Sequence, residues 1–528
     1  MGKKIICLIA VLCMALGFTA CSGSTLANGD NGVDTKGGFV AETNGYVYFI
    51  NGVESYSTTY KTGKVTKGAL MRVAKGKFAG ATEADYETVV SKLIVSDDKT
   101  AGFYISGDYV YYAVPSDENN KKGETKSDQL LFFRTKLDAS ETSNKIADKD
   151  FSHDATFRFI ASGSNVYLAV YSTNLYVYDA VKGTEVMSTE DVAYDAKNPS
   201  VARRGSVKEV MFDEDNAAPC IYYTYNPIDT NQWQDRDNAT AENYYDVYRV
   251  DLADGKATDN RILTGVGKVK DDKSEEDLIG LTFDLLRHKD GKLYYSQTSL
   301  NTSVGSVKYF ALKDGESKGE LLTYATTKTT AAFADSVLFY SENGSLVTLY
   351  VDASLGLVKF DYTKSHDANY ESDYGVYSVS DEEALKKATL KFINKEGSDD
   401  YLYYVDSNSN YYKVNLSALL KGEKPEALRI NTLSLNTSWY TPEVVEIGGK
   451  FYFFCVYSDS DYKSYVYAID MNAVEEGVKA VKEEKGDDFA ETDYYSYDKK
   501  KEGDAVKLGQ KLGIYSEADK PKDSTTSK

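Results

Sequence analysis

Proline is scarce in this chain, with seven in 528 residues, and so are histidine, with three, and tryptophan, with two. Each scarcity excludes something. So few prolines leave the backbone N–H groups able to pair, which suits a protein made of many strands. His153, His288 and His366 lie far apart in sequence and form no metal-spaced pair, so no metal or cofactor site is expected and all three read as surface residues of turns and loops. Of five cysteines, Cys7, Cys13 and Cys21 crowd the N-terminus, leaving Cys220 and Cys455 for the body of the chain. Two cysteines are too few for a disulfide scaffold of this size. Beyond residue 18 no long apolar run occurs, so nothing after the N-terminus reads as a membrane-spanning helix. No phosphate-binding loop of the Gly-x-x-x-x-Gly-Lys-Ser/Thr type is present, and no Gly-x-Ser-x-Gly nucleophile elbow is expected.

The N-terminus begins with Lys3 and Lys4, then an apolar run from Ile5 to Phe18 that is short for a bilayer span. Small residues lead into Phe18-Thr19-Ala20-Cys21. This resembles the lipobox of bacterial lipoproteins, with Phe18 where the pattern has Leu. The resemblance implies that residues 1–20 are a removable signal peptide and that Cys21 carries lipid. Several acyl chains on one residue anchor stably, because each buried CH₂ contributes about 0.8 kcal/mol. Residues 21–37 are rich in Ser, Gly, Asn and Asp and read as a flexible tether, and residues 519–528 as a disordered tail. The net charge of −20 opposes binding to nucleic acid and to anionic headgroups, so lipid on Cys21 must supply the anchoring. The expected location is extracytoplasmic, on the bacterial surface or in the periplasm.

Against these absences stands an abundance of tyrosine, 45 residues. They recur in one phrase: a Gly-containing turn, a run such as Tyr46-Val47-Tyr48-Phe49, Tyr109-Val110-Tyr111-Tyr112, Ile221-Tyr222-Tyr223, Leu293-Tyr294-Tyr295, Leu402-Tyr403-Tyr404 or Phe451-Tyr452-Phe453-Phe454, and then a second apolar run. Regular recurrence of one such unit marks a repeat architecture. Each unit parses into four short strands a–d, for example Phe157–Ile160, Val166–Tyr171, Leu175–Tyr178 and Glu185–Ser188 in the third. Asp254-Gly255 and Asp290-Gly291 carry the tight-hairpin signal. The fold expected is all-β, a β-propeller of four-stranded antiparallel blades over residues 38–518, with eight blades, or seven if one unit is misparsed. In this parse strand d of the first unit is 92–95 and that of the last is 513–516. Glu382–Lys391 and Ala473–Lys485 read as short surface helices in loops.

Tyr248-Arg249-Val250-Asp251-Leu252, followed by Asp254-Gly255-Lys256, and Tyr412-Lys413-Val414-Asn415-Leu416 resemble bacterial propeller domains of unknown function related to low-density-lipoprotein-receptor-type propellers. The receptor-type Tyr-Trp-Thr-Asp motif is absent. The resemblance implies a fold and an extracytoplasmic binding role, and it transfers no functional residues.

Cys220 and Cys455 fall on strand b of the fourth and eighth units, opposed in an eight-membered ring and beyond the ~7 Å Cα reach of a disulfide, so two separate buried thiols are expected. Asp213–Asn216 and Ser458–Asp461 lack the full spacing of a calcium loop and read as solvated turns. Residues 227–243 join strands b and c of the fourth unit in a polar stretch that holds Trp233. An aromatic in such a loop either contacts a sugar or peptide or folds back on its own blade. Trp439 and Tyr440, before the last unit, invite the same reading. The function expected is a monomeric, lipid-anchored propeller that binds an envelope protein, peptide or polysaccharide. The alternative is a glycan-active hydrolase or lyase with carboxylates facing across the channel.

Overall fold

The computed structural model describes residues 32–35, 38–52, 68–91, 94, 102–116, 129–138, 140, 143–190, 206–212, 219–226, 244–271, 274–299, 307–325, 332, 337–342, 345–361, 375–430, 441–458, 464–490, 494 and 509–514. Eight antiparallel sheets stand in a ring, each a blade whose strands a–d follow one another along the chain. Blade 1 is Val40–Thr43, Tyr46–Ile50, Leu70–Ala74 and Glu87–Val90, and blade 8 is Glu443–Ile447, Lys450–Ser458, Ser464–Asp470 and Gln510–Leu512. The six between follow the expected order closely. The a–b hairpins turn tightly because Asn44-Gly45 and Asp290-Gly291 hold positive φ at both positions, as the c–d turn Asp254-Gly255 also does. These turns share one face of the ring, here the turn rim. The b–c and blade-to-blade connections open on the other, the loop rim.

Packing explains the tyrosine doublets. Consecutive residues of a strand point to opposite faces, and both faces of strand b are covered by a neighbouring blade. Tyr111 packs toward blade 3 and Tyr112 toward blade 1. Tyr222 joins blade 5 and Tyr223 joins blade 3. Tyr294 joins blade 6 and Tyr295 joins blade 4, while Tyr403 joins blade 8 and Tyr404 joins blade 6. The first tyrosine always serves the next blade and the second the preceding one. The phenol oxygens then find partners near the blade edges. Tyr223 donates to Asp259 Oδ2 at 2.7 Å, Tyr167 accepts the Gly255 N–H at 2.8 Å, and Tyr112 pairs with Thr135 and Ser143 at 3.0 and 2.9 Å. Burial raises the Tyr222, Tyr223 and Tyr403 hydroxyls far above their ordinary range, so all three stay protonated.

The ring closes between blades 8 and 1 without exchanging a strand. Gln510 Nε2 donates to the Phe78 carbonyl at 2.9 Å and its Oε1 accepts the Gly80 N–H at 3.0 Å. Asn51 and Ile514 exchange two hydrogen bonds, and Phe78 packs edge-on against Tyr452 at 5.0 Å. Glu443, at the start of the innermost strand of blade 8, accepts the Phe39 N–H at 2.5 Å and also that of Val40. A further strand, Gly32–Asp34, adds to the inner edge of blade 2 in antiparallel register, Gly32 opposite Ser106 and Asp34 opposite Tyr104. Thr35 extends the pairing, donating its hydroxyl to the Phe103 carbonyl at 2.8 Å and accepting the Phe103 N–H at 3.1 Å.

Four expectations change. Strand d of blade 1 is Glu87–Val90 rather than 92–95, because the Thr82/Asp85 capping box starts a 3-10 turn that delivers the chain to the sheet early. Strand d of blade 8 is Gln510–Leu512 rather than 513–516. The region 382–391 forms one 3-10 turn, Leu385–Lys387, and a strand from Thr389, since Leu385 and Leu390 are drawn into the blade 6–7 core. The second helix spans Met471–Lys485, capped by Asp470, and is no mere surface loop: Met471, Val474 and Val478 on one face are buried against Phe453 and Tyr403. Cys220 and Cys455 are buried free thiols, as the opposed placement requires, and burial pushes the Cys455 thiol up to about 12.

Replacing fully buried Phe453 by Ala should lower stability by about 3–5 kcal/mol, read as a shift in urea midpoint. Tyr377→Ala, on the exposed outer strand of blade 6, should change it by less than about 0.5 kcal/mol. Enclosure raises the Glu443 carboxyl to about 8, against an ordinary value of 4.5. A raised carboxyl stabilises most when both states are protonated, so its contribution is complete below pH 4.5 and declines until pH passes about 8. Thermal melts across that window should show the decline in the wild type and a flatter profile in Glu443→Gln. A thiol reagent added to the native chain from residue 22 onward should label neither cysteine, and should label both after denaturation.

Candidate functional site

The candidate site lies on the loop rim where blades 4 and 5 meet. Strand c of blade 4 is Asp246–Ala253 and its strand d Lys256–Leu263. Asp246 is fully buried, and its two carboxylate oxygens take the Gly265 N–H at 2.8 Å and the Arg261 guanidinium at 3.3 Å. Tyr245 donates its N–H to the Leu281 carbonyl at 2.9 Å, and Leu281 donates to Gly265 at 2.7 Å. A Cβ on Gly265 would sit 2.2 Å from the Tyr245 carbonyl oxygen, so only glycine admits this approach. Three chain segments are thereby tied at one point.

Beyond that point the strand Ser274–Lys289 runs on past its last pairing with strand b of its own blade, Leu281 opposite Ser299. Its first seven residues, about 23 Å long, pair only with Val266–Asp271, Val266 opposite Gly280 and Asp271 opposite Ser274. A two-stranded arm results.

Beside its base lies a polar patch. Lys208, on strand a of blade 4, sets its Nζ 2.7 Å from Asp284 Oδ1 and 3.3 Å from Thr282 Oγ1 on strand a of blade 5, and 5.5 Å from the Tyr245 ring centre. Ser296 donates to the other Asp284 oxygen at 3.0 Å. The Lys208 and Asp284 side chains are 37% and 53% exposed, so water screens the pair and its stabilisation is small. An aromatic face, an ammonium, a carboxylate and the Thr282 hydroxyl are grouped here within reach of solvent, with the buried Ser296 hydroxyl behind them. That set matches hydrogen-bonding polar ligands such as peptides and sugars.

The predicted contacts Trp233, Trp439 and Tyr440 lie outside the described residues, as do Cys21, His366 and Asp213–Asn216. The strand ends that flank the two tryptophan segments, Asn226 and Asp246 in one case and Arg429 and Glu443 in the other, all open on the loop rim. Sequence reading missed Lys208, Tyr245 and Asp284. One signal was present: Tyr244-Tyr245 is a doublet that precedes strand c instead of lying within strand b.

His288 is a correction. It is buried rather than on the surface, tilted over Tyr222 at 5.2 Å with Nε2 3.1 Å from Asp314 Oδ1. Arg249 joins them, its Nε 2.7 Å from Asp251 and its Nη1 2.9 Å from Asp314 and 3.1 Å from the Tyr222 hydroxyl. The imidazole and guanidinium hold the Asp314 carboxyl below its usual range despite partial burial. This cluster rivets blade 4 to blade 5 at the turn rim. His153 lies at the surface as expected, partly exposed beside Asp154. A second correction concerns Gly-x-Ser-x-Gly: the spacing does occur, at Gly315–Gly319, but it joins strands c and d of blade 5 and so lacks the strand-to-helix setting of a nucleophile elbow.

Four inner-strand carboxyl groups are engaged by neighbouring groups. Glu209 accepts the Leu285 N–H at 3.0 Å, Asp284 holds Lys208, Glu396 holds Tyr403 and Lys413, and Glu443 holds Phe39. Among the described residues, no group of three His, Cys, Asp or Glu residues is placed to hold a metal ion.

No protein-family model matches the chain, and no curated protein sequence matches it. Solved structures do. Dipeptidyl peptidase 4 of Porphyromonas gingivalis is similar over 85% of this chain at 10% identity and a TM-score of 0.40; this chain spans 60% of that one's length. BamB from Moraxella catarrhalis is similar over 83% of this chain and 98% of its own, at 10% identity and a TM-score of 0.34. Citrobacter koseri AztD is similar over 81% and 92%, at 9% identity and a TM-score of 0.35. At such identities and TM-scores these likenesses carry no argument about role, and the eight-bladed β-propeller is read from the sheets of this chain itself.

Proposed function

We propose that this chain is a lipid-anchored, extracytoplasmic binding protein that captures an envelope protein, peptide or polysaccharide at its loop rim. The observation that carries the reading is the patch of Tyr245, Lys208, Asp284 and Thr282, held on a base where three chain segments are tied together and close in sequence to the segment that contains Trp233. Rigidity matters because a preformed surface loses little conformational freedom on binding. The anchor rests on the Phe18-Thr19-Ala20-Cys21 sequence. The engagement of Glu209, Asp284, Glu396 and Glu443 in bonds to neighbouring groups weighs against a channel hydrolase.

A clickable fatty acid should label the wild type in cells and leave Cys21→Ala unlabelled; equal labelling would sink the anchor. For binding, the chain from Cys21 onward is presented to a glycan array and to solubilised envelope. Tyr245→Ala combined with Lys208→Ala should weaken the retained ligand by about tenfold, some 1.4 kcal/mol, with an unchanged thermal melt. Trp233→Ala should do the same if that ring joins the contact. Undiminished binding by all variants would place the ligand elsewhere.

A further inference from the structure

Each member of the loop-rim patch is held from behind. The register of strand a of blade 4, Ser206–Phe212, shifts between Val207 and Glu209, which leaves Lys208 as the extra residue of a bulge. A bulge re-aims the side chain it carries. The Tyr171 hydroxyl of blade 3 fixes this one by donating to the Lys208 carbonyl at 2.8 Å. Asp284 is held by the buried Ser296 hydroxyl at 3.0 Å, and Tyr245 is tied through its N–H to Leu281. Groups supported in this way keep one geometry, as a binding site requires.

Bonding capacity remains. The Lys208 ammonium makes one short bond, to Asp284 Oδ1 at 2.7 Å; Thr282 Oγ1 at 3.3 Å and the Phe283 carbonyl at 3.5 Å are long contacts. The carboxylate has more acceptor sites than Lys208 and Ser296 fill. A donor and an acceptor therefore stand side by side. Two adjacent hydroxyls of a sugar ring match that spacing, one accepting from Lys208 while the other donates to Asp284. The apolar face of the same sugar suits the ring of Tyr245.

Charge and backbone narrow the class. Lys208 and Asp284 cancel each other, while the whole chain carries −20. An acidic polymer is repelled by that field and a basic one is drawn to all of it, so the patch itself selects only an uncharged ligand. Nearby backbone donors are already committed: Tyr245 N–H to Leu281, Leu281 N–H to Gly265, Gly265 N–H to Asp246 and Leu285 N–H to Glu209. None of these four is left for the main chain of a peptide.

We propose that the patch binds a neutral polysaccharide, holding one sugar by two adjacent hydroxyls between Lys208 and Asp284 against the face of Tyr245. This rests on the capture of an envelope ligand at the loop rim proposed above, and names its class.

For the test, envelope polysaccharide is digested exhaustively with protease, passed over an anion exchanger so that only uncharged polymer remains, immobilised, and titrated with the chain from Cys21 onward. Binding is expected, and from low to high ionic strength it should change by less than about twofold. Periodate, which cleaves the carbon–carbon bond between adjacent hydroxyls, should abolish it. Lys208→Met and Asp284→Asn should each weaken it by about tenfold, the loss of a hydrogen bond to a charged group. Tyr245→Phe keeps the ring face and should bind as the wild type does, unlike Tyr245→Ala. Lys182→Met, which breaks the Lys182–Asp179 pair at the turn rim, should also bind normally; a loss there would make the effect one of overall charge and overturn the assignment. Binding that survives periodate, or that is full in the Lys208→Met, Asp284→Asn double variant, overturns it too. Binding found only with undigested envelope and lost on protease treatment would overturn the sugar while leaving capture at the loop rim standing. Binding to no envelope fraction would remove both.

Discussion

Blades 2, 4, 5 and 7 of this ring are clamped to their neighbours by tyrosine doublets whose rings look in opposite directions. Strand pleating alternates side chains, so a Tyr-Tyr step necessarily commits one ring to the blade ahead and one to the blade behind. Tyr222 and Tyr223 do this in blade 4, and Tyr403 and Tyr404 in blade 7. A slip of one residue in register would exchange the two partners, which makes register and ring order the same constraint. Tyrosine suits the position better than phenylalanine. Its ring fills the space between sheets, and its hydroxyl reaches polar residues such as Asp259 and Glu396 where the packed layer ends.

Closure relies on different chemistry. Seven of the eight blade junctions join blades adjacent in sequence, whereas blades 8 and 1 must meet across the length of the chain. There the apolar contact of Phe78 with Tyr452 and Phe454 is reinforced by side-chain amides, Asn51 and Gln510, and by one enclosed carboxyl group, that of Glu443. Directional bonds supply the specificity that sequence proximity supplies elsewhere.

Much of this was legible in the sequence. The doublets, the Asp-Gly turns and the apolar runs located strands b and c in every blade, because those strands are covered on both faces and their composition is uniform. Outer strands were less legible. Glu87–Val90 and Gln510–Leu512 are short and pair on one side only, so little in their residues marks them. His288 defied its local context: it sits beside a hairpin turn, yet its burial comes from Tyr222 and Arg249, distant in sequence. The Lys208, Asp284 and Tyr245 patch was illegible for the same reason, since three ordinary residues acquire a role only where two blades bring them together.

The strand Gly32–Asp34 also has a mechanical meaning. A load on the residues that precede it acts along the strand, parallel to Phe103–Ser106, and so stresses the connecting hydrogen bonds together in shear instead of peeling them one at a time. Blade 2 takes up that load before any of it reaches Phe39 and the junction of blades 8 and 1. The weakest covalent logic in the ring, its non-sequential junction, is thus shielded from tension by a short strand that belongs to no blade of its own.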